Sequence, residues 1–181
     1  MLSSLVKPFR AGTTVPVAYQ DNFRYLYWDI AWFGILAGSG LSFISIYAAR
    51  LNASAFHLGL LGAGPALVGL LFTLPAGRWL QHRPVGGAVF WSAVLARVGY
   101  LFWALLPAFL PAEAQIWAFI VLVLLMTVPG TVLSVGFNAL YASAVPPEWR
   151  GYVAGTRNAM FSVVLVITSM VCGYLLDHLP L

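Results

Sequence analysis

Long apolar blocks alternate along this chain with short polar stretches, and the blocks are too apolar to be the faces of a water-exposed domain. A run of about 20 such residues crosses about 30 Å of hydrocarbon as a helix. Five spans follow, over 25–49, 57–80, 86–106, 115–144 and 152–176. The expected fold is an all-α, polytopic transmembrane helix bundle. The most informative polar stretch is 74–83, LPAGRWLQHR, which puts two arginines, a glutamine and a histidine between the second and third blocks. A short basic turn between two spans is read as a cytoplasmic hairpin.

Local signals refine the spans. Residues 1–24 carry Lys7, Arg10, Arg24, Pro8 and Pro16 without the apolar core of a signal peptide, so they read as a cytoplasmic arm against lipid. Tyr25, Tyr27 and Trp28 form an aromatic collar at the inner end of the first span. Gly34 and Gly38 have the four-residue spacing that lets another helix approach closely, and Ser54 is placed to cap the second span. Gly59, Gly62, Gly64, Gly69 and Pro65 give that span a bare surface suited to a packed or moving interface. Pro129 and Gly130 predict a kink halfway along the fourth span.

Composition removes the water-soluble alternative. The 181 residues are 61% hydrophobic and 8% charged, with a mean hydropathy of +0.90, against about 25% charge in a soluble domain. The net charge of +4 does not imply nucleic acid, because the basic residues are spread thinly over loops. They report topology instead. Lys7, Arg10, Arg24, Arg78, Arg83, Arg150 and Arg157 fall on one side and Arg50 alone on the other. This bias puts the amino terminus in the cytoplasm and residues 177–181 outside, in a multi-pass protein of the plasma (inner) membrane. Five spans show no internal repeat, so the simplest expectation is the amino-terminal piece of something larger.

Charged residues also fall inside the apolar blocks. Arg97, near the middle of the third span, costs about 2.5–3.5 kcal/mol on insertion scales and should face protein or a wet cavity. It is either a buried partner for an anion or carboxylate, or an arginine tying its span to a neighbour. Asp29, a turn into the first span, is either a protonatable coupling residue or a carboxylate favoured by the helix dipole and paired with an inner arginine. Asn138, Arg157 and Asn158 lie at similar depth and form either a polar cluster with Asp29 or mutual helix contacts. His57, His82 and His178 fall at span ends, away from any relay. No metalloprotease, serine-hydrolase or phosphate-loop motif is present, so neither enzyme chemistry nor a cofactor is expected.

The chain resembles the major facilitator superfamily of secondary transporters over roughly 22–177. The resemblance rests on Gly77, Arg78, Gln81, His82 and Arg83 between the second and third spans, and on Pro147, Glu148, Trp149, Arg150 and Gly151 leading into the fifth, followed by Gly155, Arg157 and Asn158. The order of a cytoplasmic arm, a glycine-rich second span and a kinked fourth span adds to it. Gln81 stands where the family usually has an aspartate, the following loop is short, and the antiporter glycine-proline run is missing from the fifth span. The resemblance implies half of an alternating-access pathway for a small solute, coupled to a proton or other ion. The first and fourth spans would line the route, with Gly136 and Phe137 facing it. The third span would lie outside, and the second and fifth would face a carboxy-terminal half. Gly77, Gln81, Arg83, Arg150, Gly151 and Arg157 would latch the cytoplasmic side. A different class, a small membrane scaffold or assembly factor acting by helix contacts alone, suits the glycine-rich second span equally.

Overall fold

A computed structural model describes residues 17–178, so the expectation for the arm at 1–16 lies outside the described residues. All regular structure among them is helical. The elements are α1 (Val17–Leu36), a π-helical turn (Ala37–Leu41), α2 (Ile44–Arg50), α3 (Ala55–Gln81), α4 (Val85–Phe109), α5 (Ala112–Ala144), a 3-10 turn (Pro147–Trp149) and α6 (Arg150–His178). Counting α1 to α2 as one irregular rod, five helices are long and apolar enough to cross a membrane. The protein is built as a multi-pass bundle.

Helix starts follow local chemistry. Ser54 caps α3, accepting from the His57 amide at 3.4 Å while His57 Nδ1 accepts from the Ser54 amide at 3.2 Å. Prolines 84, 111 and 146 stand at the starts of α4, α5 and the 3-10 turn, where a missing amide hydrogen leaves no helical bond unmade. The turn before α3 needs a left-handed residue, and Asn52 supplies it at φ 62.

Two boundaries differ from the sequence reading. The first helix begins at Val17, not at residue 25, because 17–24 holds no proline or glycine and Tyr19 and Phe23 pack into the core. The fourth span runs Ala112–Ala144 against the expected 115–144. α5 runs as one α-helix with Pro129 inside it, and the Thr127 and Thr131 hydroxyls donate to Val123 O and Thr127 O at 2.7 and 2.8 Å. The irregular turn lies in the first span. At Ala37–Leu41 small residues relax the helix, and Ser42 fixes the wider turn by donating its amide (3.0 Å) and hydroxyl (2.9 Å) to Ala37 O.

The close helix neighbours are α4 with α5, α3 with α5, and α1 with α6. Gly34 and Gly38 make the last contact possible. A Cβ on Gly38 would stand 2.7 Å from Leu165 O and 2.8 Å from Thr168 Cβ, and Ser169 donates to Gly38 O at 3.1 Å. Two cores close the bundle, one toward each end. Phe23, Leu26, Val145 and Val153 meet at the end bearing the 82–84 and 145–149 turns, called the basic end below. Ala48, Leu61, Ile116, Phe119 and Ile120 meet toward the far end. There Tyr47 donates to Gln115 Oε1 at 2.6 Å and Gln115 Nε2 to Leu110 O at 2.7 Å, tying three segments together. Between the cores lies space.

Candidate functional site

Arg97 stands at the midpoint of α4, twelve residues from Val85 and twelve from Phe109, or about 18 Å from either end at 1.5 Å per residue. Its Nη2 reaches Asp29 Oδ1 of α1 at 3.1 Å. The other oxygen of Asp29 lies 3.8 Å from Arg157 Nη2 of α6. Arg157 is held independently: its Nε donates to Leu26 O at 3.3 Å and its guanidinium covers the Phe137 ring at 4.5 Å. One carboxylate thus joins three helices through two guanidiniums. Its side chain is 45% exposed and that of Arg97 41%, whereas Arg157 is 14% exposed. The Asp29–Arg97 pair therefore borders open space.

That space has two chambers. The inner one, ≈ 390 Å³, lies toward the basic end and is lined by Asn22, Asp29, Phe90, Arg97, Phe137 and Leu140 among others. The outer one, ≈ 680 Å³, extends toward the far end between Phe33, Gly69, Tyr100, Trp103, Met126 and neighbouring residues. Arg97 lines both and Asp29 the inner one, so Arg97 stands where they meet. Along the outer chamber α5 presents Thr127, Thr131, Ser134 and Asn138, spaced four, three and four residues apart on one helical face. Thr73 of α3 joins them from across the chamber.

The expected polar cluster forms in part. Asp29 and Arg157 meet, and Arg97 ties its span to α1. Asn138 lies on the outer chamber wall, and Asn158 is exposed on α6; among the described residues neither shows a hydrogen bond to the cluster. Arg97 of α4, on the span that the resemblance put on the outside of the half-bundle, borders both chambers. Phe137 lines the inner chamber as expected, but Gly136 is buried where a Cβ would meet Val89 Cγ2 at 2.7 Å, so it serves helix contact.

The latch candidates do not converge. Gln81 and Arg83 are exposed, and the Arg83 guanidinium lies 4.7 Å over the ring of its neighbour Trp79. Gly77 and Gly151 face open space, with nothing within 4 Å of a built Cβ. Arg150 is engaged at the end of α5, donating from Nη2 to Ala142 O at 2.6 Å and from Nε to Val145 O at 3.2 Å. Among the described residues no hydrogen bond or ion pair links the 77–83 stretch to Arg150 or Arg157.

Sequence reasoning missed Thr127, Thr131 and Ser134. Their signal was the helical spacing that continues to Asn138, within a helix otherwise almost wholly apolar. No family model, curated protein or solved structure matches this chain.

Proposed function

We propose that this chain supplies the amino-terminal helices of a secondary active transporter of the major facilitator type, which moves a small solute across the plasma (inner) membrane by alternating access. The reading rests above all on Arg97, paired with Asp29, standing where two chambers meet at the middle of a spanning helix. Charges at that depth face the bundle interior or a water-filled cavity, and this pair borders open space. The polar face of α5 provides the rest of a route wall. In this reading the basic end faces the cytoplasm, and a further helical half covers α3 and α6. Only 6% of the most apolar stretch of α3 and none of that of α6 is buried, which leaves both free for such a partner.

Solute counterflow in proteoliposomes, with the complete gene product, tests the reading. Exchange of a labelled solute that falls at least tenfold in Arg97→Gln supports it. Unchanged exchange in that variant removes its basis. Gly77→Leu is a second check. Nothing lies within 4 Å of its Cβ, so the variant should insert and fold normally yet transport poorly, through loss of a close approach by the covering half. Full uptake would count against that half.

A scaffold or assembly role is the alternative. It is favoured by Gly59 and Gly62 on α3 and by Gly155 and Gly173 on α6, all of which face open space. Leucine at these positions would then abolish partner co-purification while Arg97→Gln left it intact.

A further inference from the structure

We propose that the outer chamber binds a small organic carboxylate with an apolar body, whose carboxylate takes Arg97 while Asp29 remains with Arg157. The inference rests on the transport reading and names its substrate class.

Charge count is the first ground. The cluster holds two guanidiniums and one carboxylate, a net +1 at mid-depth. The other acidic residues, Asp21, Glu113, Glu148 and Asp177, all lie near helix ends and cannot balance it there. A net positive cluster facing a chamber favours an anion and disfavours a second cation.

Geometry is the second. Arg97 engages Asp29 through one nitrogen and one oxygen at 3.1 Å, not as a two-pronged fork. A guanidinium has five donors, so most of this one stays available to the chambers it borders. Asp29 already has its second oxygen 3.8 Å from Arg157, whose place is fixed by Leu26 O and the Phe137 ring. Asp29 therefore has somewhere to go when another carboxylate claims Arg97, and the exchange conserves ion pairs.

The walls supply the third. Thr127, Thr131 and Thr73 give their hydroxyl hydrogens to carbonyls of their own helices. Phe33, Val123 and Met126 offer apolar surface in a chamber of ≈ 680 Å³, a volume within the range of sites for small organic molecules. Trp103, in the same wall, has its indole Nε1 buried with no partner among the described residues. A strong anion-binding group beside the apolar surface of Phe33, Val123 and Met126 favours an amphipathic carboxylate over an amine.

Phenylacetate, phenylacetamide and phenethylamine serve as probes against the whole chain in lipid nanodiscs, with binding followed by calorimetry. Phenylacetate should bind saturably while the neutral amide and the amine do not, a comparison that needs no variant. Arg97→Gln should weaken phenylacetate by about tenfold or more. Asp29→Asn should tighten it several-fold by removing the competitor, and Arg157→Gln should weaken it by returning Asp29 to Arg97. A merely structural ion pair would not give opposite signs in those two variants. Equal binding of phenylacetamide, or an Asp29→Asn protein that folds but binds no more tightly, overturns the proposal. Counterflow separates the two readings. Exchange of an uncharged solute without phenylacetate binding removes the anion site and leaves transport standing. Phenylacetate binding with the expected signs but no flux of any solute leaves the site and removes transport.

Discussion

At the scale of the residue, the arginines of this chain do different work according to what their forks can reach. Arg157 is clamped by a carbonyl and an aromatic face, Arg97 holds one carboxylate oxygen, and Arg83 lies across Trp79. Arg150 closes the end of α5, satisfying the carbonyls of Ala142 and Val145, while its own carbonyl accepts from Tyr141 Oη at 2.7 Å. Arg150→Ala should therefore lower stability by about 1–2 kcal/mol through the carbonyls it leaves unpaired. Arg150→Lys should recover little of that, because a lysine cannot present two donors in fixed geometry. Thermal unfolding in detergent checks both; full recovery by lysine would show that charge, not the fork, matters. Asp29 and Arg97 were legible in the sequence because a charge inside an apolar block stands out against its neighbours. Their partnership depends on how α1 and α4 lie side by side, which hydropathy does not encode. Thr127, Thr131 and Ser134 passed unnoticed because single hydroxyls scarcely alter the hydropathy of a 33-residue helix. Gly136 was misassigned for a related reason: a glycine's neighbours decide whether it lines a void or closes a contact, and Val89 and Leu80 come from other helices.

At the scale of the element, the departure from α-helical bonding that the sequence did not announce lies in the first span. Pro129 left α5 continuous, while the stretch around Gly38 and Gly40 gave the π-helical turn. A proline in a membrane helix loses one bond that neighbouring hydroxyls can offset. Consecutive small residues instead let the whole turn widen, and Ser42 then holds it open through Ala37 O. The four-residue spacing of Gly34 and Gly38 foretold a close helix approach, and α6 makes it. Which helix would come was beyond reach of the pattern, since any long apolar block offers a similar face. Gly38→Val should cost about 1–3 kcal/mol, because the added methyls meet the backbone carbonyl of Leu165, which cannot rotate away. Gly59→Ala, with nothing within 4 Å, should stay within about 0.5 kcal/mol of the parent. Size-exclusion profiles after stepwise heating compare the two; equal losses would mean that the α1–α6 seam does not limit stability.

For the whole molecule, the five rods were the easiest feature to read, since bilayer thickness sets a length that the hydropathy blocks repeat. Their arrangement was not, because apolar faces in lipid gain little from choosing one apolar neighbour over another. What distinguishes the seams is small residues and sparse polar bonds, and these leave the centre of the bundle open between its two cores. Orientation is a separate matter, decided by charge at the rod ends and by nothing in the packing. Because the described helices alternate in direction, the 51–54 turn lies at one end and the 82–84 turn at the other. With Cys172 replaced by alanine, a cysteine at Asn52 should react with a membrane-impermeant maleimide in intact cells, and one at His82 only after lysis. The bias behind this comes from Lys7, Arg10, Arg24, Arg78, Arg83, Arg150 and Arg157 against Arg50. Changing Arg78 and Arg83 to glutamine leaves five against one, and the labelling should not change. Adding three lysines to the 51–54 turn in that background gives five against four, and both cysteines should then label partially in intact cells as the population divides. A labelling pattern indifferent to these charges would mean that orientation is imposed by something other than the basic residues, and the assignment of the basic end to the cytoplasm would fall with it.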